Sequence, residues 1–189
     1  MPTPALYIFF GLIASGKSTL ADLFSRTHDL PCYNTDRVRK ELAGLAATER
    51  RPDGMEQGIY TPAFTRKTYL ALLDLARRDI KQGRAGVILD GSYARLADRQ
   101  QVIDLADQLE LSAWFILCTC SDDEVKRRLA LRAEDPEAVS DGRWDIFVLQ
   151  KEQFEYPSEL SSSRFLELST EDPPRQLLAQ IDRFIANGA

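Results

Sequence analysis

Hydrophobic positions in this chain follow two patterns that take turns from one end to the other. Compact apolar runs at Ala5–Phe10, 85–90, 112–117 and 164–168, and a shorter one at 30–35, predict strands buried on both faces rather than half-exposed ones. Between them the apolar residues recur at helical spacing. Leu20, Leu23, Phe24 and Thr27 predict a first helix from Ser18, and Val38, Leu42 and Leu45 a second. Thr61-Pro62 opens a third, with proline at its first position and a stripe of Tyr69, Leu72, Leu73, Ala76 and Ile80 running to Gly83. Val102, Ile103, Ala106 and Leu109 mark the next. Ser121 caps a helix through Val125 and Leu129 that Asp135-Pro136 interrupts, and the pattern resumes over 141–154. Pro174 starts the closing helix, with Leu177, Leu178, Ile181 and Ile185 inward.

Strands alternating with helices predict a parallel sheet covered on both faces, an α/β fold in which ligands gather at the carboxyl edge of the strands. Residues 1–189 are expected to form a single domain, since their number suits one core and the pattern shows neither repeat nor linker. Residues 44–61 fit neither period and are read as a polar insert, and 121–145 as a helical lid.

The most informative stretch directly follows the first strand. Gly11-Leu12-Ile13-Ala14-Ser15-Gly16-Lys17-Ser18 reads G-x-x-x-x-G-K-[ST], a phosphate-binding P-loop with a strand before it and a helix after it. A polyphosphate needs many N–H donors from a backbone that side chains would obstruct, which glycine at 11 and 16 permits. Ala14, Ser15 and Thr19 complete the expected nucleotide cradle, Lys17 is placed to reach the β- and γ-phosphates, and Ser18 offers a hydroxyl to Mg²⁺. Ala14 stands where a third glycine is frequent, a difference that matters little if the residue there keeps a negative φ.

Composition narrows the partners. Lys and Arg number 24 against 29 Asp and Glu, a net charge of −5, so no general basic field holds long nucleic acid. Three cysteines, Cys32, Cys118 and Cys120, lack metal-ligand spacing and read as reduced thiols, and His28 is the one histidine, which disfavours zinc. No apolar run approaches a membrane span, and a cytoplasmic location is the expectation.

Residues outside the P-loop decide which phosphate chemistry to expect. No Asn-Lys-x-Asp element reads guanine, which favours ATP, and Asp90 is followed by Gly91 rather than by a water-orienting glutamate. Asp36, at the end of the second strand, is a candidate general base facing the γ-phosphate, or simply a helix N-cap. Arg39 lies one turn on and on the same face, able to bind a substrate anion or to stay solvated beside Glu41. Asp90 ends Val87-Ile88-Leu89-Asp90, a Walker-B-like run that would hold Mg²⁺, or else starts the turn into Gly91. In the lid, Asp122–Lys126, Asp123–Arg127 and Glu124–Arg128 are i,i+4 pairs that a plain surface helix would explain, whereas Arg132 follows Arg128 instead of an acid. Arg132 is therefore the first candidate for a lid arginine over the phosphates, followed by Arg128 and Arg143.

Gly11 to Thr19, Asn34-Thr35-Asp36-Arg37-Val38-Arg39-Lys40, Gly58-Ile59-Tyr60-Thr61-Pro62, Val87-Ile88-Leu89-Asp90 and the Arg128/Arg132 pair together resemble the small P-loop kinases. That group includes polynucleotide kinases, gluconate kinase, chloramphenicol phosphotransferase and zeta-toxin kinases. More closely, the chain resembles AAA-type predicted-kinase modules that also occur fused behind aminoglycoside-phosphotransferase-like domains. The resemblance covers nearly the whole chain. It implies a three-layer P-loop fold with a five-stranded parallel sheet of order 2-3-1-4-5, ATP and Mg²⁺, Asp36 as base and Arg39 as the substrate-side arginine. The acceptor is not implied, because these relatives phosphorylate unlike alcohols on one fold.

The expected reaction is transfer of the γ-phosphoryl group of ATP to a hydroxyl of a small molecule, with Lys17, Asp36 and Arg132 catalytic. The acceptor pocket is expected between the helix after Asp36 and the insert, lined by some of Arg39, Tyr60, Arg66, Tyr93 and Arg95; for Tyr60, Arg66 and Arg95 an ordinary surface or packing role competes. A 5′-hydroxyl polynucleotide kinase is a rival favoured by Asp36-x-x-Arg39 and Arg50-Arg51 and opposed by the acidic charge balance. A nucleotide-responsive binding module that grips a partner with insert and lid is the rival from another class.

Overall fold

The computed structural model describes residues 4–49, 57–134 and 143–188, with the side chains of 132–134 outside that description. Five strands, β1 (Ala5–Phe10), β2 (Cys32–Asn34), β3 (Gly86–Gly91), β4 (Ser112–Thr119) and β5 (Phe165–Ser169), pair in parallel in the order β2-β3-β1-β4-β5. The helices are α1 (Lys17–His28), α2 (Thr35–Leu42), α3 (Pro62–Lys81), α4 (Leu96–Gln108), α5 (Asp122–Glu134), α6 (Trp144–Gln153) and α7 (Pro174–Gly188), with a 3-10 turn at Gly58–Tyr60. The three-layer fold and the strand order are those expected.

The strand period of two divides β1 between two cores. Leu6, Ile8 and Phe10 join Leu72, Val102 and Phe115 beneath α3 and α4, while Ala5 and Phe9 join Leu20, Phe24 and Ile181 beneath α1 and α7. Both faces are buried, which is why the strands lack a polar alternation. A third, smaller cluster lies at the P-loop. Ile13 and Ala14 pack against Val125 and Leu129 of α5 and Phe147 of α6, so these two helices rest on the loop itself.

Helix ends follow local chemistry. Thr61 caps α3, its hydroxyl accepting the Phe64 N–H with Pro62 at the first position, and Ser121 accepts the Glu124 N–H at the start of α5. At α2 the expected cap was two residues out of place and the strand end one. The second strand stops at Asn34 rather than running to 35, and Asn34 is the N-cap, its side chain accepting the N–H groups of Asp36 and Arg37 at 3.0 and 3.1 Å. Asp36 lies in the first helical turn, so capping does not occupy its carboxylate.

The three cysteines are free thiols, with Cys118 fully buried. Burial pushes the Cys32 thiol up to about 12. No helix among the described residues is long and apolar enough to cross a membrane.

Candidate active site

Parallel pairing brings the chemistry to one edge. Asn34 and Phe9 both align with Asp90, so the ends of β2, β3 and β1 lie side by side where the P-loop begins. Gly11 takes a φ of +136° and Gly16 of +87°, backbone that glycine adopts without penalty. The first helical bond of α1 runs from Leu20 N to Gly16 O, so by helix geometry the N–H groups of Ser18 and Thr19 lie outside the ladder at its open end. These donors and the positive end of the α1 dipole face the same space, an anion site. The Lys17 ammonium donates to Leu12 O at 3.1 Å across the loop.

Ala14 does not meet the condition of a negative φ: it sits at +60°, in the left-handed region. The conformation costs a residue with a Cβ about 1 kcal/mol, and the methyl, 1% exposed, is inserted into the cluster made with Val125, Leu129 and Phe147. Relief of strain and loss of that contact offset each other in Ala14→Gly. Its stability in a urea titration is expected to stay within about 1 kcal/mol of the parent. A larger loss would show that the methyl holds the lid base in place.

Asp90 is 2% exposed. Burial raises its carboxyl above the ordinary range; the Lys17 charge, the Asn34 amide and the Ser18 hydroxyl pull it back, and the charge of Asp36 adds to the rise. The Asn34 amide donates to Oδ2 at 2.5 Å, while Oδ1 is sealed from water and has no hydrogen-bond partner among the described residues. An orphaned carboxylate oxygen beside a serine hydroxyl at a phosphate loop fits a hard cation that draws its remaining ligands from phosphate and water. Lys17, Ser18, Asn34, Asp36 and Asp90 thus form one cluster.

Among the described residues, one cavity adjoins the P-loop at Gly16 and another adjoins α2 at Arg39. One, of about 430 Å³, is lined by Gly16, Thr19, Arg128, Leu131, Thr170 and Pro174 among others. Arg128 is half-buried and donates to Glu124, to Ala14 O (3.2 Å), and to Thr170 Oγ1 and O (both 2.9 Å). Its guanidinium lies so close to Gly16 that a Cβ there would be 2.8 Å from Nη1. The expected i,i+4 pairing of α5 survives only for Glu124–Arg128; Lys126 and Arg127 pair at i,i+3 with Asp123 and Glu124, and Asp122 turns to Lys151 of α6. Arginine hydrogen bonding holds the Glu124 carboxyl at about 2. The side chain of Arg132, the first candidate for the lid arginine, lies outside the described residues. Arg143 is exposed, near Asp145.

The second cavity, of about 390 Å³, opens between α2, α3, α4 and α6, and Arg39, Tyr60, Arg66 and Arg95 line it, as the sequence led us to expect. Arg39 is not solvated beside Glu41 but 6% exposed, with Nη1 donating to Ile59 O and Thr65 Oγ1 and the ring of Tyr60 4.9 Å from the guanidinium carbon. Tyr93 is not part of the wall. At a φ of 41° it folds under, 1% exposed, its ring 4.7 Å from that of Tyr69, so it supports the pocket from behind. Tyr69 itself lines the cavity and accepts the Tyr93 N–H.

Three participants were missed. Asn34 carried a usable signal, since asparagine ahead of a helix is a favoured cap. Thr170, whose hydroxyl donates to Ser15 O at 2.6 Å, and Gln150, whose side chain accepts the Ile13 N–H at 3.0 Å, come from 155 and 137 residues away and carried none.

Residues 6–157 match the model of the AAA domain family. The chain belongs to that family. No curated protein matches this AAA domain. Its fold is that of solved small P-loop kinases. A sugar kinase from Janibacter sp. HTCC2649 superposes with a TM-score of 0.70 at 18% identity, covering 98% of this chain and 95% of that one. The APS kinase of Mycobacterium tuberculosis, in complex with AMPPNP and APS, gives 0.68 at 15% over 98% and 99%. A gluconokinase from Sinorhizobium meliloti 1021 gives 0.64 at 15% over 98% and 93%. At such identities the likeness describes the fold of the AAA domain and leaves its acceptor open.

Proposed function

We propose that this AAA domain is an ATP-dependent kinase that transfers the γ-phosphoryl group to a hydroxyl of a small molecule. The observation that carries this reading is the cluster at the strand edge: an anion-binding loop, a buried carboxylate with an orphaned oxygen, and a second carboxylate left free by the cap at Asn34. Lys17 and the N–H groups of the loop would stabilise the transferring group, assisted by Arg128 and Arg132 from the lid. Ser18 and Asp90 would hold Mg²⁺, which neutralises phosphate charge when bound. Asp36 would accept the proton of the attacking hydroxyl. The cavity beside Gly16 and Arg128 would take the nucleoside end, and that lined by Arg39, Tyr60, Arg66 and Arg95 the acceptor.

Incubation with γ-labelled ATP, Mg²⁺ and a panel of alcohol-bearing metabolites tests the reading. Label is expected on at least one alcohol, and none with Lys17→Ala. Label released only as free phosphate would identify a hydrolase or a switch instead.

The metal role has a separate test. Asp90→Asn removes a buried charge while leaving an oxygen to accept from Asn34. The unliganded protein is expected to gain about 1 kcal/mol or more, a rise of roughly 2–4 °C in the thermal midpoint, while Mg²⁺-nucleotide no longer raises it further. A lower midpoint without ligand would mean that the ionised carboxylate holds the strand ends together.

A further inference from the structure

The walls of the acceptor cavity, taken with the reading of the protein as a small-molecule kinase, restrict what it can hold. Arg39 is the decisive group. Its guanidinium is almost wholly buried, yet among the described residues no carboxylate lies within ion-pair distance of it, and its Nε is sealed from water without a hydrogen-bond partner. A buried cation is normally neutralised by a paired anion, because leaving it unpaired forfeits its hydration without return. The neighbours that Arg39 does have, a carbonyl, a hydroxyl and an aromatic face, lower its burden without cancelling its charge.

The remaining walls share that imbalance. Arg66 from α3 and Arg95 ahead of α4 enter the same cavity, and the carboxyl facing them there is Asp98. Asp98 is also close to Arg99, which Glu159 engages, and to Glu155. Three arginines against Asp98 and the nearby Glu155 leave a net positive charge. The part of it that water does not meet is at the buried Arg39, since Arg66 and Arg95 are exposed. The rest of the lining is uncharged, and its polar members, Gln101 of α4, Gln150 and Gln153 of α6, Ser92 and Thr65, can bond hydroxyl groups, Gln150 while also accepting the Ile13 N–H. The volume, about 390 Å³, suits a metabolite rather than a polymer.

We infer that the phosphoryl acceptor is a small polyol bearing one anionic group, with the anion bound at Arg39, Arg66 and Arg95 and the hydroxyl groups bonded by Asp98 and the glutamines. Carboxylate and phosphate monoester both meet the charge requirement. Asp98, Gln101 and Gln153 are then residues that select the acceptor.

The test is calorimetric titration of the full chain, saturated with Mg²⁺-AMPPNP, using matched sets of four to seven carbons: each alditol, the corresponding aldonate and the alditol monophosphate. At least one anionic member is expected to bind about 10- to 100-fold more tightly than its neutral counterpart. Arg95→Gln and Arg66→Gln, both exposed positions that the fold tolerates, are expected to reduce that preference, and Arg39→Gln to remove it if its circular dichroism and thermal midpoint match the parent. The tighter of the two anionic arms identifies the group. Equal or tighter binding of the neutral alditols, or no binding by any anionic member, overturns the inference. Label transfer from γ-labelled ATP, followed in parallel, separates this from the kinase reading: neutral alcohols phosphorylated without an anionic preference leave the kinase and remove the anion site, whereas an anionic polyol bound tightly but never phosphorylated does the reverse.

Discussion

Asp36→Asn is expected to slow phosphoryl transfer by roughly 10²- to 10⁴-fold, the range attributable to a positioned general base, while Mg²⁺-ATP binds as well as to the parent or slightly better. The second half follows from the cluster. Asp36 is one of the charges that raise the Asp90 carboxyl, so neutralising it makes Asp90 easier to ionise. The fold has little to lose, because Asn34 supplies the cap of α2 and Asp36 adds only its favourable place near the helix N-terminus, about 0.5 kcal/mol. Single-turnover transfer and nucleotide titration on the same preparation decide the matter. Transfer at the parental rate would mean that Asp36 is not the base, and loss of nucleotide affinity would make it a structural member of the phosphate site.

Gly11→Ala is expected to have the largest effect on stability, a loss of about 3 kcal/mol or more from combined strain and overlap, and with it the nucleotide site. A Cβ at that position would lie 2.4 Å from the carbonyl oxygen of Cys118, a backbone atom of β4 that cannot move aside, at a φ of +136°. Gly44→Ala and Gly83→Ala are the controls. They also have positive φ but open space around them, and are expected to cost about 1 kcal/mol each. Thermal midpoints of the three variants compare strain alone with strain plus collision. If Gly11→Ala behaved like the other two, the close approach of the P-loop to β4 would be relaxed in solution.

The contrast between those glycines also shows what could be read in advance. The P-loop was legible because its chemistry requires particular residue types at fixed local spacing, and the strand order could be inferred from resemblance to its group. Asp36 was placed at the right strand end, but the helix cap offered as its alternative role belongs to Asn34, since the end of a three-residue strand is set by pairing with β3 rather than by local propensity. Arg39 was correctly put on the face of Asp36, yet its burial depends on Ile59 and Thr65, 20 and 26 residues downstream. Two of the three pairs expected along α5 failed for a similar reason. Helical spacing offers both i,i+3 and i,i+4 partners, and Glu124 serves Arg127 and Arg128 together because Arg128 is also drawn to Ala14 and Thr170. Ala14 took an unexpected conformation because its methyl has somewhere apolar to go, provided by helices more than a hundred residues away.

The two cavities have no wall residue in common among the described residues. If the nucleoside end and the acceptor occupy them as proposed, neither has to build the other's seat, and either would be able to arrive first. A single inhibitor meant to fill both seats needs a spacer long enough to cross the strand edge, and a short fusion of two good fragments would sacrifice one of them.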